Sequence, residues 1–272
     1  HARAFAGGLL AVVLVGAFLL TLPFASRAGE ATPPVDALFT AVSAACVTGL
    51  VVVDTRDHWN WFGQVVILVL MQLGGLGFMV GASILLRMLQ RSAPRLRDSL
   101  ALRDGQPTLS VREAGELTGR IIRFTLLAEL VGALILAARF ADEMPVGQSL
   151  WFGVFHSVSA FTNGSFDLMG GYRSLTGYQS SVVVNLTIML LIQAGALSYV
   201  VLADAAGVRS IRRWALETKL VLLLNAALLV GGTAVFLSTE WSRTLDGTAL
   251  WTRPMTALFH SVAARTAGFT TV

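Results

Sequence analysis

Apolar residues gather in long unbroken runs, and shorter, more polar segments recur between them. Five runs, near residues 5–24, 61–86, 121–139, 180–203 and 216–237, each approach the ~20 residues with which a helix crosses the hydrocarbon core of a bilayer. Three intervening segments, near 35–50, 149–166 and 250–269, are too short and too polar to cross. The order is span, short segment, span; span, short segment, span; span, short segment. This pattern predicts an all-α polytopic membrane protein. Short helices near 36–45, 149–160 and 250–264 would enter the membrane part-way and return as irregular chain.

The short segments are near-copies of one another. They read Phe39-Thr-Ala-Val-Ser-Ala-Ala-Cys-Val-Thr-Gly-Leu50, Phe155-His-Ser-Val-Ser-Ala-Phe-Thr-Asn-Gly-Ser-Phe166 and Phe259-His-Ser-Val-Ala-Ala-Arg-Thr-Ala-Gly-Phe269. The spans that follow the first two also match: Ile67–Val80 aligns with Ile188–Val201, with identities that include Gln72/Gln193 and Gly74/Gly195. Two matched blocks in one order indicate an internal duplication. The expected units are residues 1–88 (repeat one), 89–115 (a cytoplasmic linker), 116–206 (repeat two) and 207–272 (the first span and short segment of repeat three).

Irregular backbone at membrane depth survives only where protein buries it or water reaches it. Carbonyls on such backbone can replace the hydration shell of a cation. Glycine supports the required turns, because Cβ disfavours them. The partially negative C-terminal ends of the short helices would point at the same place and favour a cation.

Composition fits this picture. The chain is 55% hydrophobic and 13% charged, about half the charge of a soluble domain, and its mean hydropathy is +0.70. A pI near 10.0 would suit nucleic acid, but the basic residues, all arginine apart from Lys219, sit in loops between spans, which excludes that partner. Arg87, Arg91, Arg95, Arg97, Arg103, Arg112, Arg120 and Arg123 flank the first linker, and Arg209, Arg212, Arg213 and Lys219 the second. The positive-inside bias makes these stretches and the N-terminus cytoplasmic, and the short segments extracellular, beside Glu30, Asp36, Asp54, Asp57, Asp142 and Glu143. Anionic membrane lipid would account for the arginines as well as a protein partner would. The first run, Phe5 to Phe24, reads as a span and not as a cleaved leader. Within the linker, Ser110 and Glu113 have the spacing of a capping box.

On these residues the chain resembles the Trk/Ktr/HKT superfamily of cation-translocating subunits, closest to the KtrB type of potassium uptake protein. Ser43-Ala-Ala-Cys-Val-Thr-Gly49-Leu50 is similar to that family's first pore loop, with Cys46 where Thr is usual. Ser159-Ala-Phe-Thr-Asn163-Gly164-Ser165-Phe166-Asp167 is similar to the second, and Arg265-Thr-Ala-Gly268-Phe269 matches the third. The resemblance implies an ion filter lined by backbone carbonyls of Cys46, Val47, Thr48, Gly49 and Leu50; of Thr162, Asn163, Gly164, Ser165 and Phe166; and of Thr266, Ala267, Gly268 and Phe269. It implies passive potassium uptake across the plasma membrane, with sodium permeation as the alternative, and no cofactor other than the transported ion. It further implies a homodimer, a cytoplasmic ring of nucleotide-binding regulatory subunits, and a further inner helix and fourth repeat beyond Val272. Arg265 would brace the third loop, with Asp54 or Asp167 at the filter mouth available to neutralise it.

Two registers fit the second loop. One places Ser165 opposite Gly49, ten residues after the respective Phe; the other places Gly164 opposite Gly268, nine after. The Asn-x-x-Phe-Asp frame favours Ser165. Plainer readings apply elsewhere. Gly74, Gly75 and Gly77 read as helix-packing residues, His156 and His260 as satisfied pore-helix histidines and not a metal pair, and Cys46 as a small buried residue. No nucleophile–base arrangement, phosphate loop or metal spacing is present, so an enzyme is not expected. A secondary transporter with broken helices is the rival class. Its repeats are often inverted, whereas all three segments here fall on the arginine-poor side.

Overall fold

The computed structural model describes the backbone of residues 2–92, 111–207 and 211–272, and side chains within 7–81, 115–207 and 211–272. The expected capping box at Ser110 and Glu113, and the arginines from Arg87 to Arg112, lie outside the described side chains. The described chain is helical, and its only β pairing is an isolated bridge between Ser26 and Trp59.

Three units follow one another. In the first, α1 (Ala2–Thr21) packs on the half-helix α2 (Pro34–Ala45), and both pack on the long α4 (Trp61–Ser92), with one turn, α3 (Thr55–His58), between. In the second, α5 (Val111–Phe140) and α7 (Val182–Ala196) enclose the half-helix α6 (Val146–Thr162), and α8 (Tyr199–Gly207) continues the chain. In the third, α9 (Leu216–Glu240) packs on the half-helix α10 (Arg253–Thr266). Neighbouring units join where α4 meets α6 and where α7 meets α10.

Proline sets the start of each half-helix. Pro33 and Pro34 open α2, Pro145 precedes α6, and Pro254 lies in the first turn of α10. Its fixed φ suits the first turn and its missing N–H is not needed there. In α6, eleven residues from Ser149 to Thr162 are buried, so the second half-helix is the centre of the assembly.

Segments of α4, α5 and α9 are long and apolar enough to cross a membrane: Trp61–Gly81, Gly115–Phe140 and Leu216–Glu240. The run expected as one continuous span over 180–203 is instead broken. α7 and α8 meet at 104°, with Leu197 extended at φ −81° and ψ 136°. The aligned stretch of α4 has no such break. The break falls where α4 carries Gly77 and this segment carries Ser198, one of several positions at which the two differ. The Ser198 hydroxyl accepts from the Val200 amide at 3.4 Å, giving the backbone a local partner in place of the helical ladder.

Candidate functional site

The C-terminal ends of all three half-helices line one cavity of about 800 Å³. Ala45, Cys46 and Val47 end α2, Phe161, Thr162 and Asn163 end α6, and Thr266 ends α10; Leu73 to Met79 of α4 and Gly195 and Ala196 of α7 complete much of the wall.

The glycines of the matched spans explain how the half-helices come so close. A Cβ on Gly74 would lie 2.0 Å from the Ala45 carbonyl oxygen, and one on Gly195 would lie 1.6 Å from that of Phe161. Ala45 and Phe161 are both six residues past their loop's Phe, so the two aligned glycines do one job: each seats a half-helix end against an inner helix. Gly75 makes the same allowance for Thr162, whose Cβ and Cγ2 would each lie 2.7 Å from its Cβ.

Loops one and two have the same local geometry. Thr48 N donates to Ser43 O at 2.8 Å and Val47 N to Ala44 O at 3.2 Å; Gly164 N donates to Ser159 O at 2.8 Å and Asn163 N to Ala160 O at 3.2 Å. These are the paired bonds of a Schellman helix end, with Val47 and Asn163 left-handed at φ 57° and 63°. Gly49 (φ 75°) and Ser165 (φ 57°) are left-handed again two residues later. The Ser43 hydroxyl then donates to Leu50 O, and Ser159 to Phe166 O, both at 2.7 Å. In this geometry Ser165 is the counterpart of Gly49, and Gly164 is the counterpart of Thr48. Gly164 is needed for room: a Cβ there would lie 2.5 Å from Met71 Sδ. Val47 and Ser165 hold a conformation that costs an ordinary L-residue about 1–3 kcal/mol.

Loop three is built differently. It has Ala263 where the others have serine, its helix closes with Ala267 N donating to Ala263 O at 2.9 Å, and Ala267 is extended. It hangs on loop two instead. Thr266 Oγ1 donates to Asn163 Oδ1 at 2.9 Å, and the Gly268 amide donates to Ser165 Oγ. Further out, Leu175 N donates to Thr270 O at 2.9 Å.

Two expectations are corrected. Cys46 is exposed, not buried; it caps the end of α2 and lines the cavity. Arg265 is neutralised by neither Asp54 nor Asp167. Its guanidinium donates to Asn225 Oδ1 and, at 3.5 Å, to Asn225 O, and Asn225 Nδ2 donates to Gln193 Oε1 at 3.0 Å. The third half-helix is thus tied to α9 and α7 through amides. The aligned Gln72 donates to Glu129 Oε2 at 3.1 Å, so in both repeats the inner-helix glutamine reaches a polar group on the next unit's first span.

Asp54 caps α3, accepting from the Arg56 and Asp57 amides, and also accepts from Tyr172 N at 2.8 Å. Together with Arg56 Nη1 donating to Met169 O at 3.1 Å and Gly171 N to Asp57 Oδ2 at 3.0 Å, it clasps the segments beyond loops one and two. Asp167 accepts from Met169 N at 2.9 Å. Burial, and secondarily the charge of Asp54, push its carboxyl up to about 6.

The serines Ser43, Ser157, Ser159 and Ser261 went unnoticed in the sequence as structural residues. Ser157 Oγ donates to Glu129 O at 2.7 Å and Ser261 Oγ to Leu229 O at 2.9 Å. Gly132 and Gly232 make room for them, with hypothetical Cβ distances of 2.6 and 2.4 Å to the serine oxygens. The signal was available: serine recurs two or four residues after the Phe of these motifs.

Apolar helices, half-helices that end in irregular loops, and a shared cavity at those ends define a polytopic all-α membrane protein with tandem pore-loop repeats. The chain matches the family described as "TrkH: Cation transport protein" over residues 11–272, and it belongs to that family. It is 37% identical over 265 residues to the potassium/sodium uptake protein NtpJ of Enterococcus hirae, and 35% identical over 274 residues to the Ktr system potassium uptake protein B of Vibrio alginolyticus. Each alignment covers 97% of this chain and 58% of the relative, so the chain spans little more than half their length. Its fold is also that of the potassium transporter TrkH from Vibrio parahaemolyticus, at a TM-score of 0.67 and 22% identity over 97% of this chain and 52% of that one.

Proposed function

We propose that this chain is the membrane subunit of a Ktr/Trk-type system and admits potassium passively through a single carbonyl-lined filter. The observation that carries the reading is the cavity onto which all three half-helix ends open. An ion leaving it meets loop backbone and the partially negative helix ends, the environment that replaces water around a monovalent cation. The filter comprises Cys46–Leu50, Thr162–Phe166 and Thr266–Phe269. The carbonyls of Leu50 and Phe166 accept from serines at 2.7 Å and that of Asn163 from Ser165 at 3.4 Å, so the other residues of these two loops offer the freer oxygens. The relatives' names, potassium/sodium uptake protein and Ktr system potassium uptake protein B, support the cation class.

In this reading residues 1–88, 116–206 and 207–272 act as successive repeats around the path, and 89–115 is the linker between the first two. The protein lies in the plasma membrane with its N-terminus cytoplasmic and its pore loops extracellular. It assembles as a homodimer, and its arginine-rich cytoplasmic face docks a nucleotide-binding ring. The full-length protein, expressed in a potassium-uptake-deficient bacterium, is expected to restore growth at low external potassium. Failure despite confirmed membrane insertion would overturn the reading. The break between α7 and α8 is a feature that a broken-helix secondary transporter would share. Uptake that persists against the potassium gradient only while a second ion gradient is maintained would favour that class.

Asp167 and Asp54 place negative charge at the outer mouth. Above pH 6 the Asp167 carboxyl is mostly ionised, and below it the charge is lost, because its pKa lies near 6. Uptake at limiting potassium is expected to fall as external pH drops from about 7.5 to about 5. Asp167→Asn should lower uptake at the upper pH and flatten the profile, and an unaltered profile would remove Asp167 from this role.

A further inference from the structure

The inner helices of repeats one and two each send a glutamine to the first span of the next unit, and the two contacts differ in their supply of hydrogens. At the second, Asn225 Nδ2 donates to Gln193 Oε1 at 3.0 Å and Arg265 donates to Asn225 Oδ1, so both acceptors have a donor. At the first, Gln72 Nε2 donates to Glu129 Oε2 at 3.1 Å. The counterpart of Arg265, six residues past its motif's Phe, is Phe161, which donates nothing. Gln72 Oε1 and Glu129 Oε1 are both buried without a hydrogen-bond partner among the described residues. Three acceptor oxygens thus share one donating amide group. Glu129 is 5% exposed and lies in the middle of the apolar segment Gly115–Phe140.

α5 packs on α4, α6 and α7, and among the described side chains of those helices the one titratable group is His156. Its two ring nitrogens are taken up by Phe152 O and Leu168 N. On α5 itself Arg123 is exposed, Arg120 pairs with Glu116, and Arg139 pairs with Glu143. A carboxylate at this depth without a cation is costly. Packing does not demand an acid here either. Ser157 and Ser261 bond the carbonyls of Glu129 and Leu229, which makes leucine the counterpart of Glu129 in repeat three.

We propose that Glu129 and Gln72 form a buried proton-binding site, in which Glu129 is a neutral carboxylic acid that donates its Oε1 hydrogen to Gln72 Oε1. Acid and amide then face each other edge to edge, each donating one bond and accepting one. A single proton satisfies both unpartnered oxygens. The terminal torsions of the two side chains are broad enough to align the edges without moving backbone. The pair locks α4 to α5 one residue before Leu73–Met79, the stretch of α4 that lines the cavity and holds Gly74 and Gly75 against the half-helix ends. The inference does not depend on the reading of the loops as an ion filter.

The test is infrared difference spectroscopy of the complete protein in lipid, wild type minus Glu129→Gln, at about pH 7, where Asp167 is mostly ionised. The carbonyl stretch of a protonated carboxylic acid, displaced in deuterated water, should be present in the wild type and missing from the variant. Carboxylate bands in its place would overturn the proposal. Thermal unfolding midpoints give a second readout. Glutamine at position 129 is a neutral isostere that can donate to Gln72 Oε1 and accept from Gln72 Nε2, so its midpoint should stay within about 2 °C of the wild type. Glu129→Leu and Gln72→Leu each leave the other polar group buried and unpaired, and should lower the midpoint by roughly 3–10 °C. The double variant, with both partners apolar, should unfold at a higher temperature than either single one. A Glu129→Gln variant that fails to insert, or that falls as far as Glu129→Leu, would mean that the negative charge itself is used, as in a site for a metal cation, and would overturn the proton. A double variant no better than the singles would show that the two side chains do not act as a pair.

Discussion

Gly195→Ala is expected to abolish uptake. The added methyl would sit 1.6 Å from the Phe161 carbonyl oxygen and 2.7 Å from its carbon, less than half of ordinary contact in the first case. Neither atom belongs to a flexible side chain. Phe161 is the penultimate residue of α6, whose final turn is buried and whose end carries the Asn163–Ser165 turn. Relief therefore requires α6 and α7 to move apart by more than an ångström. Overpacking of this kind costs about 3 kcal/mol or more where backbone must yield, and packed interiors transmit the strain instead of absorbing it. The displaced element is the one on which loop three hangs, so the second and third loops shift together. Gly74→Ala, at 2.0 Å from the Ala45 oxygen, should behave in the same way through loop one. We expect initial uptake rates at least about a hundredfold below wild type for both variants, with lower thermal stability of the detergent-solubilised protein. Gly231→Ala is the control: no atom lies within 4 Å of its Cβ, and alanine is the better helix former. Wild-type rates in Gly195→Ala would mean that the inner helix does not seat the half-helix.

That packing shows which parts of the molecule were legible in the sequence. The spans could be read because a bilayer imposes length and apolarity on each helix separately, so a local pattern suffices. The half-helices could be read because the same segment occurs three times. Gly74 was read as a packing residue and Gly195 only as its aligned counterpart, but both seat a half-helix end. The pairing of Arg265 with Asn225 was not legible, because Asn225 lies in an apolar span forty residues earlier and no periodicity singles it out. An acidic partner was the natural expectation for an arginine at membrane depth, but two amide oxygens on the adjoining helix satisfy the guanidinium. The exposure of Cys46 was also hidden. Its type favours burial, but it caps a helix that ends at a cavity. The break near Ser198 falls in a block aligned with an unbroken helix, so alignment of the two repeats pointed the wrong way.

His156→Ala is expected to destabilise the protein far more than His260→Ala, although the two histidines occupy the same place in their motifs. His156 is fully buried. Its Nδ1 lies 2.7 Å from Phe152 O and its Nε2 3.2 Å from Leu168 N. The Leu168 amide can only donate, so Nε2 accepts and Nδ1 carries the hydrogen that reaches Phe152. One ring thus joins α6 to the chain just after the second loop and holds the exit of the loop over the half-helix that precedes it. Alanine removes the ring from a pocket shared with Phe140, Phe152 and Phe155. It also leaves the Leu168 amide buried without its acceptor. The missing packing and the unpaired donor together cost about 3 kcal/mol or more. His260 stacks on Phe236 at 4.7 Å, and its Nε2 is buried without a partner among the described residues. Its removal therefore breaks no bond at that nitrogen and forfeits chiefly the stacking contact, about 1 kcal/mol. Heat-induced aggregation of the solubilised variants, followed alongside uptake, should show a large loss for His156→Ala with impaired potassium selectivity, and a small loss for His260→Ala. Equal losses would mean that the bond to Leu168 does not hold the second loop, and that both rings serve only as packing.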